Sequence, residues 1–163
     1  TDRLMRRLIR SGRAAAAQEV EQIAGRVAQA PFNTRVVPSK DQNEFEHLGR
    51  TTKERDNSDW VHLVKRVDTG QWGPTTTLNE YVDDLHAASR QASKIAVYQR
   101  NGGNIVLLWA ETKDIIPPQR LGVNSGPEMV VIYLADRGTI ISGYQVSSLS
   151  TVNIPEGAQW LRS

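Results

Sequence analysis

A histidine with two cations one helical turn beyond it, His62, Lys65 and Arg66 in WVHLVKRV, is where this chain most readily suggests chemistry. If the segment is helical, all three side chains share a face. An imidazole titrates near neutrality, so it can take or give a proton at physiological pH, and Lys or Arg can hold developing negative charge. A second set lies eighty residues on. Ser142 and Tyr144 flank Gly143 in TIISGYQVS, and strand alternation sends both side chains to one face. A tyrosine there can stack on a base and a serine can bond a phosphate, while the glycine admits a close approach. Histidine, cations and hydroxyls suffice for metal-free RNA cleavage by attack of the 2′-hydroxyl on its own phosphate. In that reading His62 is general base or acid, Lys65 and Arg66 hold phosphate charge, Ser142 meets the scissile phosphate and Tyr144 a base. Arg100 and Arg120 are looser candidates for substrate phosphates. The plain alternative is a half-buried histidine beside apolar neighbours, solvated basic residues, and a strand that turns Ile141 inward.

Other chemistries lack their residues. The chain has no GxxxxGK[ST], GxGxxG, GxSxG or HExxH pattern. It has no cysteine, which excludes disulfides and thiolate sites. Its three histidines, His47, His62 and His86, are not paired at ligand spacing, so neither a metal nor another cofactor is expected. His86 reads as a surface or core-edge residue of a helix, and His47 as exposed. Asp83 and Asp84 are adjacent on that helix and point about 100° apart, as on a solvated face. Glu111 and Glu128 are the carboxylates suitably placed on strands for an NAD-dependent ADP-ribosyltransferase, an alternative enzyme class. Net charge is only +2, but Arg3, Arg6, Arg7, Arg10 and Arg13 gather against Asp2 at the N-terminus. Such an arm suits nucleic acid or an acidic partner, or forms a solvated helix face. No apolar run approaches the ~18 residues of a membrane helix, and no secretory signal is present.

These residues must be held by α+β architecture. Residues 1–30 read as helix, bent near Ser11-Gly12 and ended by Pro31, with Ala16, Val20, Ile23 and Val27 as one apolar stripe. The stripe needs a cover, either the core or another chain; docking on another chain would make the protein a non-enzymatic binding module. Residues 33–37 suit a short strand, and 38–59 form a polar linker anchored at most by Phe45 and Leu48. Trp60–Val67 fits a helix or a strand, and 70–74 a turn. TTTLNEYVDDLHAASRQA is a capped helix with Leu78, Tyr81, Val82 and Leu85 on one face. Strands follow at 93–100 and 105–110 around Asn101-Gly102-Gly103-Asn104, then a proline-containing loop, then a hairpin of 128–135 and 139–147 about Asp136-Arg137-Gly138. The 128–135 strand is apolar enough to be buried on both faces, and the C-terminal tail adds a short edge segment anchored by Trp160. The expected organisation is an N-terminal helical arm (1–37), the linker (38–59), and an α+β domain (60–163) whose antiparallel sheet of four or more strands packs on a helix.

The hairpin VVIYLADRGTIISGYQVS resembles the closing hairpin of colicin D-type nuclease domains, in the barnase, EndoU, colicin and RelE-like group of toxin nucleases. Upstream order is similar over residues 60–147: a histidine in a short helix, a Gly/Trp turn, a helix, then strands. The resemblance places His62 at the family's catalytic histidine and Ser142 at the serine of its last strand, with Tyr144 where the family has Trp. Lys65 and Arg66 follow the histidine, whereas the family's lysines precede it. It implies a metal-independent endoribonuclease without cofactor that acts on RNA, specifically tRNA, and is neutralised by an acidic immunity protein. It also implies a bacterial origin as the C-terminal part of a secreted toxin that acts in the target-cell cytoplasm, with Thr1 opening such a fragment.

Overall fold

Apolar residues at period 3.6 and then at period 2 divide the chain into helices followed by strands, and the fold keeps that order. The computed structural model describes residues 17–32 and 58–163. The arginine arm, the bend at Ser11-Gly12, Ala16, residues 33–37, and His47 with the linker up to residue 57 lie outside the described residues. Helix α1 (Ala17–Val27), α2 (Ser58–Asp68) and α3 (Leu78–Arg90) precede strands β1 (Lys94–Arg100), β2 (Gly103–Glu111), β3 (Glu128–Leu134), β4 (Thr139–Val146) and β5 (Gln159–Arg162). The WVHLVKRV segment is helical: Val61 and Val64 lie three apart and are both buried. Helix α3 opens with a capping box, in which the Thr77 hydroxyl accepts from Glu80 N at 3.2 Å and Thr77 N donates to Glu80 Oε1 at 2.9 Å.

The strands form one antiparallel sheet in the order β4-β3-β2-β1-β5. Asn101 (φ 52°) and Gly102 (φ 79°) join β1 to β2, the positive φ pair of a two-residue turn that matches strand twist. The β3–β4 hairpin is as expected, and Met129, Val130 and Val131 have no exposure. One sheet face carries Val97, Leu108, Met129 and Val131 against the three helices. The α1 stripe of Val20, Ile23 and Val27 belongs to this core, so its cover is the chain itself. Trp72, inside the expected turn, is fully buried here.

The second face carries Tyr98, Ile105, Leu107, Trp109 and Val130, and the C-terminal segment lays Leu149, Val152, Ile154 and Ala158 over it. Two unlike layers therefore sandwich the sheet. The tail does end in an edge strand, β5 on β1, but Trp160 does not anchor it. Trp160 is 41% exposed, and Leu161 packs on the core instead.

Candidate functional site

Helix α2 lies along β4, the outer strand of the sheet, and packs against it. The juxtaposition is clamped at both ends. At the far end of α2 the chain leaves through a Schellman motif: Gly70 N donates to Val67 O at 3.0 Å and Gln71 N to Arg66 O at 2.9 Å. Gly70 takes the left-handed φ of 81° that this ending requires. Gln71 then meets Gln145. Gln145 N donates to Gln71 Oε1 and Gln145 Nε2 to Gln71 O, each at 2.8 Å. The Gln145 Oε1 atom accepts from Ser125 Oγ and Gly126 N, also at 2.8 Å. At the near end Ile140 N donates to Pro31 O at 2.8 Å, and the Phe32 ring sits 5.8 Å from His62 and 6.0 Å from Tyr81.

Between those clamps one contact joins the two sequence sets, that of Arg66 with Tyr144. His62 is half-buried on α2 with its Nδ1 inaccessible to solvent. One turn on, the Arg66 guanidinium lies over the Tyr144 ring at 5.6 Å, and its Nε is buried without a hydrogen bond. Ser142 and Tyr144 are both half-buried and face the same side of β4, paired with Ile132 and Val130. Lys65 is half-buried on α2, and its carbonyl accepts from Thr69 N and Oγ1. Gly143 points the other way, toward the helices. A Cβ there would lie 2.5 Å from two Leu85 methyl carbons, so the close approach is made by α3 rather than by a ligand. The Gly143 carbonyl also accepts from Tyr81 Oη at 2.7 Å.

The remaining candidates separate. Arg100 on β1 lies 5.4 Å over the Tyr98 ring and donates to Asn153 O in the covering segment. Arg120 is not available for a phosphate: it grips Asp84 through Nε (3.1 Å) and Nη2 (2.5 Å), with Glu80 at 3.5 Å. Asp84 departs from the solvated face expected of it. It is 3% exposed and also accepts from Trp72 Nε1 at 3.0 Å, while Asp83 is exposed. His86 ties α3 to the end of α1 through Ala30 O at 2.9 Å. Glu128 accepts from Trp109 Nε1 and Leu149 N, and Glu111 pairs with Lys113 at the surface beside a cavity of about 250 Å³. Among the described residues no three His, Asp or Glu side chains gather as a metal-ligand set.

Sequence reasoning missed Tyr98, although its i, i+2 spacing from Arg100 on a strand places both on one face. The phenols of Tyr98 and Tyr144 are both pushed up, chiefly by burial. Nearby arginines oppose this: Arg100 at Tyr98, and Arg66 followed by Arg100 at Tyr144. Gln145, 5% exposed and fully engaged, carried no sequence signal.

Comparison with protein-family models, with curated proteins and with solved structures yields no match.

Proposed function

We propose that this protein is a metal-independent endoribonuclease whose site lies where α2 runs along β4. The observation that carries the reading is the contact of Arg66 with Tyr144, which brings α2, with His62 one turn before Arg66, to the strand that carries Ser142. His62 takes the proton of an RNA 2′-hydroxyl, the 2′-oxygen attacks phosphorus, and the P–O5′ bond breaks with the 5′-oxygen taking a proton from solvent. The products are a 2′,3′-cyclic phosphate and a 5′-hydroxyl. Arg66 and Lys65 hold the charge that builds on the non-bridging oxygens, and a guanidinium stacked on a ring is pre-positioned for it. Ser142 donates to one of those oxygens, and the exposed part of Tyr144 meets the neighbouring base.

The likeness of the closing hairpin to colicin D-type domains supports tRNA as the substrate, a toxin role in bacterial competition and an acidic immunity partner. The binding-module alternative loses its surface, because the described part of the α1 stripe is spent in the core. Total tRNA incubated with the protein in chelator should give discrete fragments ending in cyclic phosphate. His62→Ala should slow their appearance by about 10²–10⁴-fold, the usual worth of a general base, with an unchanged melting curve. Cleavage at the wild-type rate in that variant would sink the assignment.

A further inference from the structure

Asn101 and Gly102 form the one asparagine–glycine step in the chain. The fold itself favours that pair. A two-residue link between β1 and β2 takes positive φ at both positions, and asparagine and glycine adopt it at least cost. The same pair is the one best able to modify itself. Attack of a main-chain nitrogen on the preceding asparagine amide closes a five-membered ring, and a side chain on the attacking residue crowds that approach. Gly102 has no side chain, and among the described residues nothing lies within 4 Å of where a Cβ would stand. Both residues are exposed, and the Gly102 nitrogen stands outside the β1–β2 ladder, which closes on Arg100 and Gly103.

The other described asparagines lack these conditions. After Asn79, the Glu80 nitrogen donates to the Thr77 hydroxyl at 3.2 Å. After Asn124, Ser125 N donates to Gly122 O at 3.3 Å, and after Asn153, Ile154 N donates to Val152 O at 2.9 Å. Asn104 is followed by β-branched Ile105 inside β2, and its amide nitrogen donates to Asp136 Oδ1 at 2.8 Å.

We propose that Asn101-Gly102 is a site of spontaneous deamidation, and that its isoaspartate product breaks the β1–β2 turn. The Gly102 nitrogen gives up its proton and bonds to Asn101 Cγ. The Cγ–Nδ2 bond breaks, and Nδ2 leaves as ammonia with that proton. Water then opens the succinimide ring at either carbonyl, with nothing oxidised or reduced. Opening at Cγ gives aspartate, which keeps the backbone and suits the same turn. Opening at the main-chain carbonyl gives isoaspartate, whose backbone runs through the former side chain and is longer by one carbon. The extra carbon falls inside a two-residue turn. It therefore disturbs the Arg100–Gly103 pair and the bond from Asn104 N to Asp136 Oδ2 at 2.7 Å just beyond it. The inference stands apart from the ribonuclease reading.

The test is to age the purified protein at mildly alkaline pH, digest it with trypsin and sequence the peptides by mass spectrometry. Amide-to-acid conversion should collect in the peptide 101–113, at Asn101 rather than Asn104, and run ahead of every other asparagine. Its rate should rise with hydroxide concentration, because the attacking nitrogen must lose its proton. An aspartate-directed protease cuts the aspartate product and spares the isoaspartate one, which separates the two. The isoaspartate fraction should melt a few degrees below fresh protein. Asn101→Gly keeps a residue pair suited to the turn, and should abolish both the conversion at 101 and the slow fall in melting temperature. Asn101→Asp should melt with fresh protein. Conversion at Asn101 no faster than at Asn124 overturns the site. An Asn101→Asp variant that melts as low as the isoaspartate fraction overturns the turn-breaking role, because the added charge alone would then account for the loss.

Discussion

Asp84 carries more of this fold than its position in a doubled acidic pair suggests. Its carboxylate is buried at the junction of α3, the Trp72 turn and the 118–120 turn, with Trp72 Nε1 on one oxygen and the Arg120 fork across both. Removing one partner of a buried pair leaves the other charge without compensation. Asp84→Ala should therefore cost about 3–5 kcal/mol, read as a shift in urea midpoint. Gly143→Ala is the steric counterpart. The new methyl meets three carbons of the Leu85 side chain and Leu85 has no exposure, so overpacking should cost about 1–3 kcal/mol in the same assay. The sequence placed both residues on the right elements but misread them. Position 84 lies three residues beyond Tyr81 and four before Ala88, which puts it on the buried side of α3. What makes a carboxylate tolerable there, an indole and a guanidinium from segments 12 and 36 residues away, has no local signature. Gly143 was rightly singled out as a point of close approach, but alternation alone does not say which side the neighbour comes from.

At the scale of elements, the decisive fact is that α2 and β4, eighty residues apart, are locked side by side. Helices α1 and α3 and the two hairpins were legible because hydrophobic period and turn chemistry agree there. Helix α2 was ambiguous because Val61, Leu63 and Val67 share one face of a strand, while Val61, Val64 and Val67 fit one side of a helix. That β4 lies beside it was not legible, since the clamp is made of glutamines. Gln145 uses its backbone N–H and its whole amide on Gln71, Ser125 and Gly126, and all three would lose a partner in Gln145→Ala. That variant should lose about 1–3 kcal/mol of stability. It should also cut RNA more slowly than wild type at temperatures where both are fully folded, because Arg66 would no longer be held over Tyr144. An unchanged kcat in the folded variant would show that the clamp is structural alone, whereas partial recovery in Gln145→Asn is expected of a positioning residue.

For the molecule as a whole, the sheet is covered twice, by helices on one side and by the C-terminal segment on the other. The first cover follows from amphipathic stripes. The second has only scattered apolar residues, Leu149, Val152, Ile154 and Ala158, too irregular in spacing for a periodic reading. Its consequence is measurable, because it helps to seal the face that holds Tyr98 and Tyr144. Burial pushes both phenols above the usual 10.0, and the arginines only partly offset it. A phenol raised in the folded state keeps its proton longer than in the unfolded chain, so above pH 10 the folded state binds more protons and unfolding gains with each further rise. Stability from these two tyrosines is thus intact below about pH 10 and lost as pH climbs toward their folded values. Tyrosinate absorbance should show the Tyr98 and Tyr144 phenols titrating above the usual phenol range, with melting temperature falling in step. Replacing both Tyr98 and Tyr144 by Phe should flatten the alkaline fall in melting temperature. A fall as steep in the double variant as in the wild type would mean that the second face does not shelter its phenols.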